Sequence, residues 1–160
     1  MKLTPREKRI RSNFEPGKIT RDGFLGSDER HIHDIIYEDE RTLSKLKVNI
    51  NQIADRMQYF IEEGKKGLDS PVQLGDHIIQ IQWDRGMLPC PFGDPGLHHK
   101  LVATVLNEKL KRTIRFSQLS VHLIRVHGFF GGKGSVFRIE PDEAVRTLDI
   151  QPDKSTGGGK

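Results

Sequence analysis

The sequence predicts an α+β fold, with N-terminal helices packed on a small antiparallel sheet and a ββα-like C-terminal half. Three observations carry that expectation. Apolar residues between Ile32 and Ile61 recur at helical spacing, an alternation of period two begins at His77, and a helical period returns after Ser117. A chain of 160 residues is enough for one domain of ordinary size. With 34% hydrophobic and 30% charged residues, its core is adequate but not generous. No apolar run approaches the ~18 residues that a transmembrane helix needs.

Residues 1–23 read as a basic flexible arm, either a mobile tail or loosely docked on the domain. They contain Lys2, Arg6, Lys8, Arg9 and Arg11, are broken by Pro5, Pro16, Gly17 and Gly23, and show little periodicity. With no apolar stretch behind those charges they do not resemble a secretory signal. The lone Cys90 permits no internal disulfide, so a reducing, cytoplasmic compartment is expected. The domain proper is expected over 24–150, and 151–160, ending Ser-Thr-Gly-Gly-Gly-Lys, as a flexible tail.

Within the domain, Ser27 is placed to cap a first helix, with Asp28 and Glu29 at the positive end of its dipole and Ile32, Ile35 and Ile36 on its apolar face. Asn49 and Gln52 have the spacing of a capping box, so a second helix is expected from Ile50. Its stripe is Ile50, Ile53, Ala54, Met57, Phe60 and Ile61, with Gly64 and Gly67 at its end. Residues 77–83 alternate as a strand, and Asp84-Arg85-Gly86 reads as a turn before a short return at Met87 and Leu88. Residues 100–106 and 112–116 flank Asn107-Glu108-Lys109-Leu110 as a hairpin, and 136–139 is expected to complete the sheet. Ser117 caps a helix that Gly128 closes, and Pro141 begins a last helix through Leu148.

The charge is unevenly placed. Residues 71–138 hold nine basic and four acidic side chains together with five of the seven histidines, interleaved with core positions. An anion-facing surface is expected there.

Four constellations are candidates for chemistry. In the first, Cys90-Pro-Phe-Gly-Asp94 precedes a hairpin and a helix bearing His122 and His127, the order of a zinc finger. The second cysteine of such a knuckle is missing, so Asp94, His98 or His99 would supply the fourth ligand. Zinc is the cofactor this set would hold. His122 and His127 are five residues apart, about 140° around an ideal helix, so both face one site only if the last turn loosens. The plain alternative is a buried Cys90 and two histidines bonded to nearby carbonyls.

In the second, Cys90 is a nucleophile with His127 or His122 as its base, and Gly93–Gly96 offers backbone N–H groups to an oxyanion, as in a Cys/His hydrolase. The third is His127-Gly-Phe-Phe-Gly-Gly-Lys-Gly-Ser135, whose glycines and lysine suit an anion. Its spacing departs from a P-loop, and it leaves a helix to enter a predicted strand rather than the reverse. Here His127, Lys133, Arg138 and Arg125 are the anion-binding candidates, with Phe129 and Phe130 holding the loop from below. The fourth, Thr42–Met57, is spaced like a helix-turn-helix. Its outer face offers Asn51, Gln52 and Arg56, but the accompanying Asp55, Glu62 and Glu63 argue against nucleic acid as a partner.

The segments Pro89-Cys-Pro-Phe-Gly93 and Leu119-Ser-Val-His-Leu-Ile-Arg-Val-His-Gly-Phe-Phe-Gly-Gly-Lys-Gly-Ser-Val-Phe-Arg138 resemble the signature of an uncharacterised bacterial cytosolic protein family. The resemblance covers about residues 28–150 and carries no activity. It implies a bacterial, cytosolic, single-domain protein.

The function expected first is a non-catalytic binding protein, whose basic, His-rich surface takes an anionic small molecule or an acidic protein partner. A zinc-binding module built on Cys90, His122, His127 and Asp94 is the second expectation, and the hydrolase the third.

Overall fold

Alternating Ile79 and Ile81 on one strand and Leu101, Ala103 and Val105 on the next turn inward together, and this pairing organises the sheet. The computed structural model describes residues 4–152. Its strands are β1 (Val72–Leu74), β2 (His77–Pro89), β3 (Leu97–Asn107) and β4 (Arg112–Ser117), antiparallel in the order β1-β2-β3-β4. Its helices are α1 (Pro5–Ser12), α2 (Ile32–Leu46), α3 (Ile50–Lys65), α4 (Gln118–His127) and α5 (Pro141–Thr147). The architecture is the expected α+β, with α3 and α4 packed on the sheet. Among the described residues no helix is long and apolar enough to cross a membrane.

Local signals explain most boundaries. Asn49 and Gln52 form the capping box at the start of α3, each backbone N–H meeting the other's side-chain oxygen at 2.9 Å. Ser117 caps α4 in the same way with Ser120. The Asn107 side-chain oxygen accepts from the Leu110 N–H at 3.0 Å and sets the turn between β3 and β4. Met57, Phe60 and Ile61 of α3 are fully buried against β2 and β3, and a buried side chain of this kind contributes roughly 1.5–3 kcal/mol.

Gly64 lies inside α3 rather than ending it, because the helix runs within touching distance of β2. A Cβ at Gly64 would stand 2.6 Å from Cγ2 of Ile79 and 2.7 Å from Cγ1 of Ile81. Gly64→Ala is therefore expected to destabilise the protein by about 1–3 kcal/mol by overpacking, although alanine is the better helix former. Urea unfolding of the variant checks this, and a gain in stability would refute the close approach.

The structure corrects several expectations. The helix expected after Ser27 begins at Ile32 as α2, because the Ser27 and Asp28 side chains are engaged elsewhere. The Ser27 hydroxyl donates to the Lys133 carbonyl, and the Asp28 carboxylate accepts from Arg30 and from the Lys133 N–H. Asp84–Gly86 is not a turn but a bulge in one continuous strand: these three residues stand opposite Lys100 alone, and pairing resumes at Met87 with His99. Residues 136–139 form no strand. The Arg138 N–H donates to the Ser135 carbonyl and its side chain is drawn inward by Asp39, so β1 is the fourth strand instead.

Residues 4–23 are docked rather than free. The Thr4–Glu7 capping box starts α1, and Phe14, just beyond it, is fully buried. Phe14 belongs to a second core with Leu25, Ile35, Cys90, Leu119, Leu123 and Phe129, distinct from the main core on the sheet. Of the expected tail, Gln151 and Pro152 are described, and 153–160 lies outside the described residues.

The glycine loop after α4 serves close packing. A Cβ at Gly132 would stand 2.3 Å from the Leu25 carbonyl oxygen, so only glycine lets segments 24–27 and 131–135 cross here. Phe129 and Phe130 are buried beneath the loop, as expected, one in each core. Asp28 fastens the crossing. The Arg30 hydrogen bonds outweigh burial, and with the Lys133 N–H they hold its carboxyl far below the usual range. Its stabilisation is thus complete above about pH 4 and is lost as pH falls toward the folded value. Asp28→Asn is expected to cost about 2 kcal/mol at neutral pH. The gap to the wild type should narrow in acid, and a gap that stays constant from neutral pH to pH 3 would contradict this.

Candidate metal centre

The loop between β2 and β3 is short of regular hydrogen bonds by composition. Pro89 and Pro91 have no N–H to give, and Gly93 and Gly96 adopt positive φ of 93° and 103°. One backbone bond, from the Gly93 N–H to the Cys90 carbonyl at 3.0 Å, makes its turn. This folding buries Cys90 at the edge of the second core and leaves Asp94 half-buried beside it.

Helix α4 supplies the opposing side. Gly128 enters the left-handed region at φ 67°, and the N–H groups of Gly128 and Phe129 bond the Ile124 and Leu123 carbonyls at 3.0 Å. The last turn is thus closed, not loosened. His122 and His127 nevertheless converge, with ring centroids 5.7 Å apart, because the two imidazoles lean toward each other across the helix surface.

Between them lies one oxygen. Asp94 Oδ2 is 2.9 Å from His122 Nε2, 2.5 Å from His127 Nε2 and 3.5 Å from Cys90 Sγ, and Cys90 Sγ is 3.6 Å from His127 Nε2. The four ligand atoms of Cys90, Asp94, His122 and His127 all lie within 4.8 Å of one another. Packing holds the rings in place: Phe92 stacks on His127 at 3.9 Å and 16°, and His98 lies against His122 at 4.4 Å.

Burial pushes the Cys90 thiol up, and the neighbouring Asp94 charge adds to this. Burial also works against the Asp94 carboxylate, but the bonds from His127 and His122 outweigh it and keep the carboxyl below its usual range. Burial lowers His98, helped by its neighbour His122. Its Nε2 is buried without a hydrogen-bond partner.

The donor set fits a tetrahedral transition-metal ion. Zinc bonds of about 2.0–2.3 Å to N, O and S require ligand atoms about 3.3–3.8 Å apart, and the observed separations bracket that range. One sulfur, two imidazole nitrogens and one carboxylate oxygen suit zinc. Calcium and magnesium ask for oxygen shells. A dication here would also reverse the electrostatics of Cys90, stabilising the thiolate that burial opposes.

The nucleophile arrangement is less well met. Cys90 and His127 do approach, but Asp94 meets the same Nε2 that faces the sulfur. An orienting carboxylate would have to meet Nδ1 and leave Nε2 to the thiol. Burial, moreover, works against the thiolate.

Three of the four anion candidates already face carboxylates of the chain. Arg125 pairs with Asp55 at 2.7 Å, Arg138 forks onto Asp39 at 2.6 and 2.8 Å and also meets Glu140, and His127 faces Asp94. Lys133 gives its backbone N–H to Asp28. Arg125, Arg138 and His127 between them face four carboxylates, Asp55, Asp39, Glu140 and Asp94, so a free anion there would compete with groups the chain already supplies. Of the three alternatives for a fourth ligand, Asp94 is the one whose carboxylate oxygen lies among the other donor atoms. His98 packs against His122, and His99 meets the edge of Trp83.

The buried Asp39–Arg138 pair was not foreseeable from local pattern, since 98 residues separate the partners. The one available signal was an aspartate interrupting the apolar seam of α2. Comparison with protein-family models, with curated proteins and with solved structures finds no match for this chain.

Proposed function

We propose that the protein binds a zinc ion through Cys90, Asp94, His122 and His127, and that the ion is structural, clipping the β2–β3 loop to the end of α4. The observation that carries this reading is the convergence of four chemically matched donor atoms within 4.8 Å, from a loop and a helix far apart in sequence. Four protein donors fill a tetrahedral shell and leave no position for substrate, which favours a non-catalytic role. Cys90, buried in the second core, gives the donor set rigid support from behind.

Elemental analysis of protein purified from zinc-supplemented cells without a chelator tests it. About one zinc per chain is expected, lost in Cys90→Ala and in His127→Ala and retained in His99→Ala. Metal-free wild-type protein, or a zinc content that these variants leave unchanged, would overturn the reading. Rapid labelling of Cys90 by a thiol-reactive probe at neutral pH would favour the hydrolase instead.

A further inference from the structure

Resting on that reading, we infer that the metal site controls whether the basic N-terminal segment is docked. The link is Phe92, which lies between two of the donors in sequence, Cys90 and Asp94. Its ring stacks on a third donor, His127, while its other aromatic neighbours are Phe14 at 4.9 Å and Phe129 at 5.9 Å. Phe14 in turn is the anchor of segment 4–24. No residue of α1 is fully buried, and the helix adds only a partly buried Ile10 at the edge of the same second core.

Some of the segment's polar ties lead back to the same loop. The Asn13 side-chain amide donates to the Pro91 carbonyl at 3.1 Å, and Arg11 donates to the Arg30 carbonyl at 3.0 Å. At the far end the Gly132 N–H donates to the Phe24 carbonyl. The loop that carries Pro91 and Phe92 has one internal backbone bond, so its position depends on what holds Cys90 and Asp94. With a metal on those donors, Phe92 is fixed and Phe14 has an aromatic wall to pack on. Without it, four side chains must share the site as neutral or oppositely charged hydrogen-bonding groups, and the wall is free to shift.

The main core on the sheet contains none of the four donors. Metal loss should therefore open the molecule locally, releasing a segment that carries Arg6, Lys8, Arg9 and Arg11 and leaving the sheet intact. The site then acts as a switch: ion binding conceals the apolar face beneath the segment, and ion release exposes it along with a mobile basic strand.

Hydrogen exchange and limited trypsin digestion of the full chain, zinc-loaded and chelator-stripped, test this. Stripping should speed cleavage at Arg6–Arg11 and exchange over 10–24 by roughly tenfold or more, with α3 and β3 unchanged. Phe92→Ala and the milder Phe92→Leu should keep their zinc, measured separately, yet show fast cleavage with or without it. Equal protection of the segment in both forms, zinc-dependent protection surviving in either variant, or simultaneous loss of protection in α3 would each overturn the inference. Wild-type protein that takes up no zinc at all would instead remove the underlying metal reading.

Discussion

Stripping zinc from the purified protein is expected to lower its thermal midpoint by roughly 10 °C, corresponding to about 3 kcal/mol for a domain of this size. Metal bound to the native donors stabilises by mass action, because the unfolded chain cannot bring a loop cysteine and two helix histidines together. His127→Ala should reproduce most of the loss and make the midpoint insensitive to added zinc. Two features make His127 the informative position. It faces both Cys90 and Asp94, and it is the ring on which Phe92 stacks. Differential scanning calorimetry with and without chelator measures the effect. Identical midpoints for the loaded and stripped wild type would mean that the cluster holds itself together by hydrogen bonds alone.

The second large effect is expected at Asp39. Its carboxylate is 3% exposed and forks onto the Arg138 guanidinium, which is 9% exposed and donates as well to the Gly131 carbonyl. Burial works against the charge on Arg138, but Asp39 and Glu140 together hold it charged. Asp39→Ala leaves that cation buried beside Glu140 alone, and a loss of about 3 kcal/mol is expected in urea unfolding. Replacing both partners, Asp39→Leu with Arg138→Met, should recover much of the loss, because the cost lies in the uncompensated charge rather than in the missing attraction. A double variant as unstable as the single one would show that the fork itself is required to place the glycine loop.

The contrast between these two sites explains how far the sequence could be read. The members of the proposed metal site were legible because each lies in a distinctive local setting: Cys90 and Asp94 in a Pro/Gly-rich loop, His122 and His127 on a helix bounded by Ser117 and Gly128. The helical stripe of α3 and the hairpin of β3 and β4 were legible for the same reason, since capping and turn chemistry act over a few residues. Expectations failed where distant groups compete for a local one. Ser27 looked like a helix cap, yet its hydroxyl serves Lys133 across the crossing with the glycine loop. Arg138 looked like part of a strand and an anion site until Asp39 claimed it. Phe14 looked like part of an arm because nothing near it in sequence reveals Phe24, Phe92 and Phe129 around its ring. The closed last turn of α4 shows a further limit. Ideal helix geometry gives the direction of a side chain's base, while a long imidazole can lean far enough to meet a partner that the angle alone would exclude.

X-ray absorption at the zinc edge of the loaded, full-length protein tests the central claim most directly. A four-coordinate shell is expected, with one sulfur at about 2.3 Å, two imidazole nitrogens at about 2.0–2.1 Å and one carboxylate oxygen at a similar distance. In Cys90→Ala the sulfur scattering should vanish. A zinc shell without sulfur in the wild-type protein, made of nitrogen and oxygen alone, would place the ion elsewhere and contradict the account.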